Sequence, residues 1–396
     1  MKRLITDGTL FGVPFRGLAR LIILALCPCL FLPYKATSLI MLIVAGVFLV
    51  MPTVRDKIFE FKSMLTAAVF LMLTGMVAIY SGNYLGAKRT LVFAAMVIVA
   101  SASRTLMTRR FFERLTDVLI ISGCCAAVHS IIEYILNRDV PNYRCQAFFT
   151  NPNFFGTSIA FCIIICAYKA ATHQRNVALY YLAACLLAAG LYLSGSMSLW
   201  VVIFVAVLLI LILLGEYRLL IVFLSVTAAA VTALLLIPDM IPRLGELSAT
   251  IDNRVKIWSF AVEQFKNSPI VGKGFFTYKF LYNQLHTTQD IYPAALSHNV
   301  LLDSLLCHGV VGTCIVGYAF LQYFGDVLTT RKQLKSEGKQ YPIAGFIAAI
   351  SIAVALYGMM DTTFVWVQTG SVLLLLGSGI GAEEREVRIS KAKNTK

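Results

Sequence analysis

Charged residues are scarce in this chain. Asp, Glu, Lys and Arg make up 14% of its 396 residues, whereas soluble domains carry roughly 25%. The charges are absent from long blocks, which leaves apolar stretches of roughly 16 to 22 residues that suit helices crossing a bilayer core of about 30 Å. Segments of about ten residues with alternating polarity, which build a transmembrane β-barrel, are lacking. These absences exclude a cytosolic enzyme, a secreted disulfide-linked protein and a disordered chain.

Patterns for metal or nucleic-acid binding are also lacking. The chain has ten cysteines, and all but Cys145 fall inside predicted membrane helices. No paired Cys-x-x-Cys set with zinc spacing occurs, so neither a metal nor another cofactor is predicted. Cys162 and Cys166, four residues apart on one helix, are interpreted as small packing residues. No basic and aromatic pattern favours nucleic acid.

About twelve hydrophobic spans are present, with boundaries loose by several residues. They cover Leu18–Leu32, Ala36–Met51, Met64–Tyr80, Leu91–Ser103, Leu115–Leu136, Asn153–Ala171, Val177–Leu193, Ser198–Leu214, Leu219–Ile237, His298–Phe324, Tyr341–Met360 and Phe364–Ala382. The predicted fold class is an all-α polytopic membrane protein with one integral membrane domain, residues 1–396. The first span resembles a signal-peptide core but leads into the second after a short turn at Pro33, so we expect it to be retained.

The distribution of basic residues predicts which connections face the cytoplasm. The net charge is +14, from 34 Lys and Arg against 20 Asp and Glu. With the N-terminus inside, most basic residues lie on that side, and the short outer connections hold only Lys35, Lys88, Arg89, Arg138 and Arg144. The positive-inside rule therefore places both termini in the cytoplasm, with a basic tail at 383–396, and the long segment 238–297 outside, between spans nine and ten.

The outer segment 238–297, of about 60 residues, is too long for a simple connector, and long loops commonly carry function. From Ile251 its pattern predicts an amphipathic helix capped by Asp252 or Asn253. Arg254 then lies in the first helical turn, where free N–H groups favour an anion and a guanidinium adds a fork suited to phosphate oxygens. The alternative is an arginine that reaches lipid headgroups.

The tenth span opens with His298 and Asn299 at the outer membrane surface. A histidine exchanges protons near neutral pH, so His298 is a candidate general base towards a hydroxyl group. The alternative is a polar residue that caps the helix. Asp303 lies deeper, on the face of Asn299, and is interpreted as a packing or supporting group. For His308, deeper again, we expect a hydrogen-bonded contact between helices.

Three groups of residues form motifs in and around these segments. His-Asn, nine residues, then Gly-x-x-Gly is formed by His298, Asn299, Gly309 and Gly312. An Arg, a Trp four residues later, a Pro and Gly-x-Gly are supplied by Arg254, Trp258, Pro269, Gly272 and Gly274. A weaker pattern of an Arg, an aromatic pair and Asn-Pro-Asn is formed by Arg144, Phe148, Phe149, Asn151, Pro152 and Asn153. These patterns resemble those of the O-antigen ligase and O-antigen polymerase superfamily of bacterial membrane glycosyltransferases.

The resemblance implies glycan transfer on the outer face of the bacterial cytoplasmic membrane, in the synthesis of lipopolysaccharide O-antigen, capsule or exopolysaccharide. The implied donor is a glycan on undecaprenyl diphosphate, and the acceptor is a hydroxyl group of a glycan, lipid or protein. No nucleotide sugar, metal or other cofactor is implied. The roles carried over are catalytic: His298 deprotonates the acceptor, and Arg254 binds the leaving diphosphate. Asn299 and Trp258 are predicted to bind substrate.

One departure from the family pattern concerns a second arginine. Family ligases often carry it after the turn between spans seven and eight, in a Ser-x-Ser-Arg context. Here Ser194, Gly195 and Ser196 are followed by Met197, which supplies no charge. Arg144, on the same outer face, is the predicted substitute and is expected to bind substrate.

Several functions fit the sequence. A polymerase joins one lipid-linked repeat to another, whereas a ligase moves finished glycan to a different acceptor, and both need the same base and diphosphate site. A transporter or lipid-linked glycan flippase fits the hydropathy equally well, and a catalytically silent assembly partner is a further alternative. A transporter typically has charged or broken mid-membrane helices in corresponding halves, and here the only deep acid is Asp303.

Overall fold

The computed structural model describes residues 9–10, 13–59, 62–172, 176–237, 245 and 247–394. Among these residues the only strands are β1 (Thr9–Leu10) and β2 (Val13–Pro14), which pair antiparallel. The helices are α1 (Phe15–Cys29), α2 (Tyr34–Val50), α3 (Pro52–Ile58), α4 (Lys62–Tyr80), α5 (Tyr84–Leu106), α6 (Arg109–Leu136), α7 (Pro152–Thr172), α8 (Val177–Leu193), α9 (Ser198–Leu214), α10 (Tyr217–Leu236), α11 (Leu247–Lys266), α12 (Thr277–Leu285), α13 (Val300–Ser336), α14 (Pro342–Gly358), α15 (Val367–Gly377) and α16 (Ile380–Asn394).

The helices confirm an all-helical polytopic membrane protein. Five are long and apolar enough to cross a membrane, or six if the bent pair α2 and α3, at 99°, forms one span. Four further apolar helices are shorter: α4, α8, α9 and α14. Every predicted span contains a helix, but the last is not continuous, because a 3-10 turn at Thr363–Val365 precedes α15 and Ile380 begins another helix. The count of twelve spans stays a prediction.

The bundle has a central helix and a peripheral one. In α7, 78% of an apolar stretch of 18 residues is buried in the protein. Cys162 and Cys166 of this helix are themselves buried, which agrees with their interpretation as small packing residues. A side chain at Gly123 of α6 would approach Cys162 Sγ to 2.7 Å, so these helices pack closely. No residue of α10 is buried. An apolar helix without a buried residue suits a lipid environment and would be a liability in water.

Polar clusters lie at the two ends of α14, which at 17 residues is about 25 Å long. At its N-terminus the carboxylate of Glu383 accepts hydrogen bonds from the N–H groups of Ile343 and Ala344, at 3.0 and 2.9 Å. Burial raises the pKa of Glu383 to about 7, and these two hydrogen bonds act in the opposite direction. Residues 383–394 of the segment predicted as a basic tail are helical, as part of α16, which packs on the bundle; residues 395–396 lie outside the described residues. Asp361 follows the other end of α14.

The amphipathic helix in the long connection is present as α11, but it begins earlier than predicted. Because the helix starts at Leu247, Asp252 and Asn253 do not cap it, and Arg254 is not in the first turn. Those two predictions are wrong, since residues 247–250 continue the helix upstream, and the free N–H groups of the helix end do not surround Arg254. The buried face differs in part from the predicted one, which had Arg254, Trp258, Val262 and Phe265 beside Ile257 and Ala261. Ile257, Phe260 and Ala261 are buried and cluster with side chains of α12 and α13, whereas Val262 is exposed.

Candidate active site

A buried carboxylate joins the two residues predicted to be catalytic. Asp361 Oδ1 lies 3.0 Å from His298 Nδ1, and Asp361 Oδ2 lies 3.7 Å from Arg254 Nη2. The Asp361 side chain is 3% exposed, whereas His298 and Arg254 are 29% and 24% exposed. The acid is thus covered by protein, and the base and the cation remain accessible.

Local hydrogen bonds fix the position of His298. Its backbone is left-handed, with φ 53°, directly before the helix cap Asn299. Asn299 Oδ1 accepts from the N–H groups of Leu301 and Leu302, and its amide nitrogen donates to the Met359 carbonyl at 3.0 Å. This last bond ties the start of α13 to the end of α14, two residues before Asp361. The binding of substrate by Asn299 stays a prediction; the structure shows it capping α13.

The deeper polar residues of α13 support this arrangement. Asp303 Oδ1 accepts hydrogen bonds from the backbone N–H and the hydroxyl of Ser297, at 2.9 and 3.0 Å, and so holds the residue before His298. His308 Nδ1 lies 3.3 Å from Thr74 Oγ1 of α4. Both observations agree with the expected supporting role of Asp303 and the expected contact between helices at His308.

The motif glycines allow α13 to form backbone hydrogen bonds with the turn at residues 269–274. At Gly309 the helix breaks, with φ 62° and ψ −170°. The N–H groups of Val310 and Val311 then donate to the carbonyls of Pro269 and Ile270, at 2.8 and 3.0 Å. A side chain at Gly309 would lie 2.3 Å from the Ile270 carbonyl. Glycine is required because two backbones touch at this point.

The glycines of the turn itself, Gly272 and Gly274, also lie at this backbone contact with α13. The N–H of Gly274 donates to the carbonyl of Cys307 at 2.7 Å. A side chain at Gly272, where φ is +67°, would lie 2.4 Å from the Cys307 carbonyl. The outer segment that carries Arg254 is thereby fixed to the helix that carries His298.

Trp258 lies one turn beyond Arg254 on α11 and contributes to a groove of about 440 Å³. The groove is lined by Val255, Trp258, Ser259, Val262, Glu263 and Lys266. The indole Nε1 of Trp258 is buried and has no hydrogen-bond partner within the described part of the chain. The groove combines an aromatic side chain with one acid and one base, a mixture that suits a polar ligand with apolar faces.

Arg144, in the connection between α6 and α7, contacts the turn where the family pattern has its second arginine. Arg144 Nε donates to the Ser194 carbonyl at 2.8 Å, and one terminal nitrogen contacts Asn153 Oδ1 at 2.5 Å and Ser196 Oγ at 3.4 Å. Its loop is held by Glu133, which accepts hydrogen bonds from Tyr143 OH and the Ala147 N–H, both at 2.7 Å.

A line of hydroxyl groups connects the Arg144 region with the Asp361 segment. Thr157, one turn after Asn153 on α7, donates to the Asn153 carbonyl at 2.8 Å. Its Oγ1 lies 2.7 Å from Thr363 Oγ1, which in turn lies 2.9 Å from Tyr357 OH. Both regions therefore belong to one end of the bundle.

The chemistry of the cluster follows from its donors and acceptors. An ionised carboxylate only accepts hydrogen bonds, so with Asp361 charged the His298 proton sits on Nδ1. Nε2 then carries the free electron pair, and no residue in the described part of the chain bonds to it. His298 is thus arranged as a base, and Arg254 presents a cation beside it.

Asp361 was missed by the sequence reasoning. It lies in the short connection between spans eleven and twelve, where it is the only charged residue. The signal in the sequence was a single acid in a short connection that is predicted to lie on the same side of the membrane as His298. Its partnership with His298 depends on how α13 and α14 pack.

The fold and this cluster define a multi-pass helical membrane protein with a polar site at one end of its bundle. Residues 182–317 match the Wzy_C family model, described as O-antigen ligase, so the expected resemblance is confirmed over that segment. This family implies a glycan-transferring membrane enzyme of polysaccharide biosynthesis that uses lipid-linked glycans. The matched segment contains Arg254 and His298 but not Arg144 or Asp361. A comparison with curated proteins gave no match.

Proposed function

We propose that this protein transfers glycan from undecaprenyl diphosphate to an acceptor hydroxyl on the outer face of the bacterial cytoplasmic membrane. The observation that carries the proposal is the buried carboxylate of Asp361, which lies within 3.0 Å of His298 and 3.7 Å of Arg254. A base and a cation held by one acid suit a displacement in which a hydroxyl loses its proton while a diphosphate leaves.

His298 acts as the general base. Its Nε2 takes the proton of the acceptor hydroxyl as the acceptor oxygen bonds to the anomeric carbon of the donor sugar. Asp361 holds the ring in the required tautomer and stabilises the imidazolium that forms, as carboxylates do for catalytic histidines in general. General bases of this kind contribute roughly a hundred- to ten-thousandfold in rate.

Arg254 acts on the leaving group. The bond from the anomeric carbon to the phosphate oxygen breaks, and the electron pair stays on the diphosphate, whose charge the guanidinium offsets. At 3.7 Å the ion pair with Asp361 is longer than a hydrogen bond, so the N–H donors of Arg254 are available to phosphate oxygens. A single displacement from the opposite face inverts the anomeric configuration.

Three other residues take supporting roles in the proposal. Arg144, which contacts the turn at 194–196, supplies the second positive charge in place of the arginine absent at Met197. Trp258 and its groove receive part of a glycan. Asn299 caps α13 and keeps His298 beside Asp361, and its predicted binding of substrate remains part of the proposal.

The membrane arrangement that accompanies this mechanism has twelve spans, both termini in the cytoplasm and the His298 cluster outside. It is supported by the two polar ends of α14, one with Glu383 and the other with Asp361. It is also supported by the charges: Lys169, whose ion pairs are to Glu113 and Asp117, lies at the end of α7 opposite to Asn153.

Reconstitution in lipid with a polyprenyl-diphosphate oligosaccharide tests the proposal. The products are separated by size for the wild type, His298→Ala and Arg254→Ala, with the exposed His286→Ala and Lys256→Ala in the same outer segment as matched controls. We expect transfer in the wild type and both controls and none in the two site variants. A ladder of lengthening lipid-linked glycan identifies a polymerase, and transfer only to an added acceptor identifies a ligase. Movement of intact donor across the bilayer, or transfer that does not depend on His298, overturns the proposal.

A further inference from the structure

One arginine near the site has no role in the mechanism above. Arg89 lies in the second turn of α5, and its guanidinium carbon Cζ is surrounded by three aromatic rings. The ring centroids lie at 4.7 Å for Trp366, 4.9 Å for Phe276 and 5.0 Å for Tyr34. All three distances are within the range of a cation–π contact.

Two of the three rings, Phe276 and Trp366, come from the segments that build the candidate active site. Asn83, the cap of α5, donates to the carbonyls of Lys273 and Phe275, at 3.0 and 2.9 Å. Phe276 follows the motif turn that bonds to α13. Trp366 ends the short segment that begins at Asp361 and contains the 3-10 turn. Arg89 is therefore at the same end of the bundle as His298.

Arg89 differs from Arg104 and Arg109 in its charge balance. Arg104 pairs with Glu384 and Asp326, and Arg109 pairs with Glu386. Over the described ranges of the chain, no carboxylate and no other hydrogen-bond acceptor contacts the Arg89 guanidinium. Aromatic rings stabilise the faces of the cation but accept little from its N–H edge. The guanidinium fork is thus left with donors and without acceptors.

The surroundings indicate the class of ligand. A planar fork with several N–H donors matches the oxygens of a phosphate group. The three rings present apolar surface, and Trp366 itself stacks on Phe154 with centroids 4.6 Å apart. A phosphate next to a hydrocarbon chain satisfies both halves of this environment, as in a membrane lipid. A free carboxylate or sugar would leave the apolar half in contact with polar groups.

We propose that Arg89, with Tyr34, Phe276 and Trp366 around it, binds the phosphate group of a membrane lipid, and that in transfer this lipid is the diphosphate donor. The second part rests on the proposed function. The shared chemistry is a lipid phosphate, which can come from the donor or from a phospholipid headgroup. Arg89 was counted in the sequence only as one of the few basic residues of the outer connections.

The test compares Arg89→Gln, which removes the charge, and Arg89→Lys, which keeps it without the fork, with Lys88→Gln as a control of equal charge change at an exposed neighbour. Two quantities are measured in lipid nanodiscs: the KM for the polyprenyl-diphosphate donor, and the binding of sugar-free undecaprenyl diphosphate and of phosphatidylglycerol by native mass spectrometry. We expect Arg89→Gln to raise the donor KM and weaken undecaprenyl-diphosphate binding by about ten- to a hundredfold, the size of one charge-assisted hydrogen bond. Arg89→Lys should show a smaller effect, and Lys88→Gln none.

The remaining outcomes distinguish the lipid-linked donor from a phospholipid as the ligand, and they distinguish a failure of the Arg89 site from a failure of the proposed transfer function. Loss of phosphatidylglycerol binding alone in Arg89→Gln supports a phospholipid as the ligand and overturns the donor assignment. Unchanged binding of both lipids in a folded Arg89→Gln, or an equal loss in Lys88→Gln, overturns the whole inference. If the wild type transfers no glycan, the proposed function fails, but undecaprenyl-diphosphate binding still tests Arg89. If Arg89→Gln does not fold, the comparison of Arg89→Lys with the wild type decides.

Discussion

His298 Nδ1 and Asp361 Oδ1 lie 3.0 Å apart although 63 positions separate them in the chain. The histidine precedes α13, and the acid follows α14. A carboxylate accepts a hydrogen bond from a proton on Nδ1. The contact therefore leaves Nε2 as the ring nitrogen that can take up a proton.

Replacing Asp361 with Asn should remove most of the activity and leave the fold intact. The amide keeps the size of the acid but can donate to Nδ1, which places the ring proton on Nε2 and blocks its use as a base. We expect the rate of glycan transfer at saturating donor to fall by about a hundred- to ten-thousandfold, with a smaller change in KM. The measurement is a steady-state assay beside Asp290→Asn, an exposed acid of the outer segment, which should behave as the wild type. A fall confined to KM would contradict the positioning role.

Introducing a side chain at Gly309 should destabilise the protein. The alanine Cβ would lie 2.3 Å from the Ile270 carbonyl at a left-handed position, and the combined cost is about 3 kcal/mol or more. Gly317→Ala, in the same helix and with no atom within 4 Å of the added Cβ, is the matched control. Thermal unfolding in detergent should show a lower Tm and lost activity for Gly309→Ala only. Equal Tm values for the two variants would show that the backbone contact between residues 269–274 and α13 contributes little.

Arg144→Ala should lower transfer, and adding an arginine at the family position should restore part of it. Arg144 donates to the Ser194 carbonyl, and Met197, three residues on, is the cap of α9. In the double variant Arg144→Ala with Met197→Arg, the positive charge returns to the same turn. We expect a loss of about ten- to a hundredfold for the single variant, the range for one charge-assisted hydrogen bond, and a recovery of several-fold for the double variant. Arg138→Ala, in the same loop and 74% exposed, should have no effect. Full activity in Arg144→Ala would remove Arg144 from the site.

Glu383 should make the stability of the protein depend on pH at the end of the bundle opposite to His298. Its folded pKa of about 7 exceeds the ordinary value of 4.5, so the folded state binds the proton more tightly than the unfolded state. The favourable contribution of the protonated carboxyl is fully present below pH 4.5 and is lost as the pH rises to 7. The difference is about 3 kcal/mol at most.

The measurement for this prediction is the Tm of the wild type and of Glu383→Gln between pH 4.5 and 8. We expect the Tm of the wild type, relative to the variant, to fall as the pH rises through this window and to level off above pH 7. Glu263→Gln, an exposed acid of α11, should run parallel to the wild type. A constant difference between wild type and Glu383→Gln at every pH would show that Glu383 does not titrate there.

Local features of the protein could be predicted from the sequence, whereas contacts between helices could not. The helices were found because a bilayer requires continuous apolar segments whose backbone groups bond within the segment. His298 and Arg254 were singled out because their motif places them next to spans and turns that the hydropathy pattern already marks. The start of α11 was wrong, since a cap of Asp or Asn is a weak signal when the residues before it also favour a helix.

The sequence by itself determined an all-helical membrane protein with a long polar segment between its apolar helices, and it singled out His298 and Arg254 as the candidate base and the candidate cation. Only the tertiary structure decided that Asp361 joins them, and that Arg89 sits among rings from three distant segments. The physical reason is that hydropathy and helical periodicity act over a few turns of chain, whereas side-chain contacts between spans depend on which faces of α5, α13 and α14 pack together.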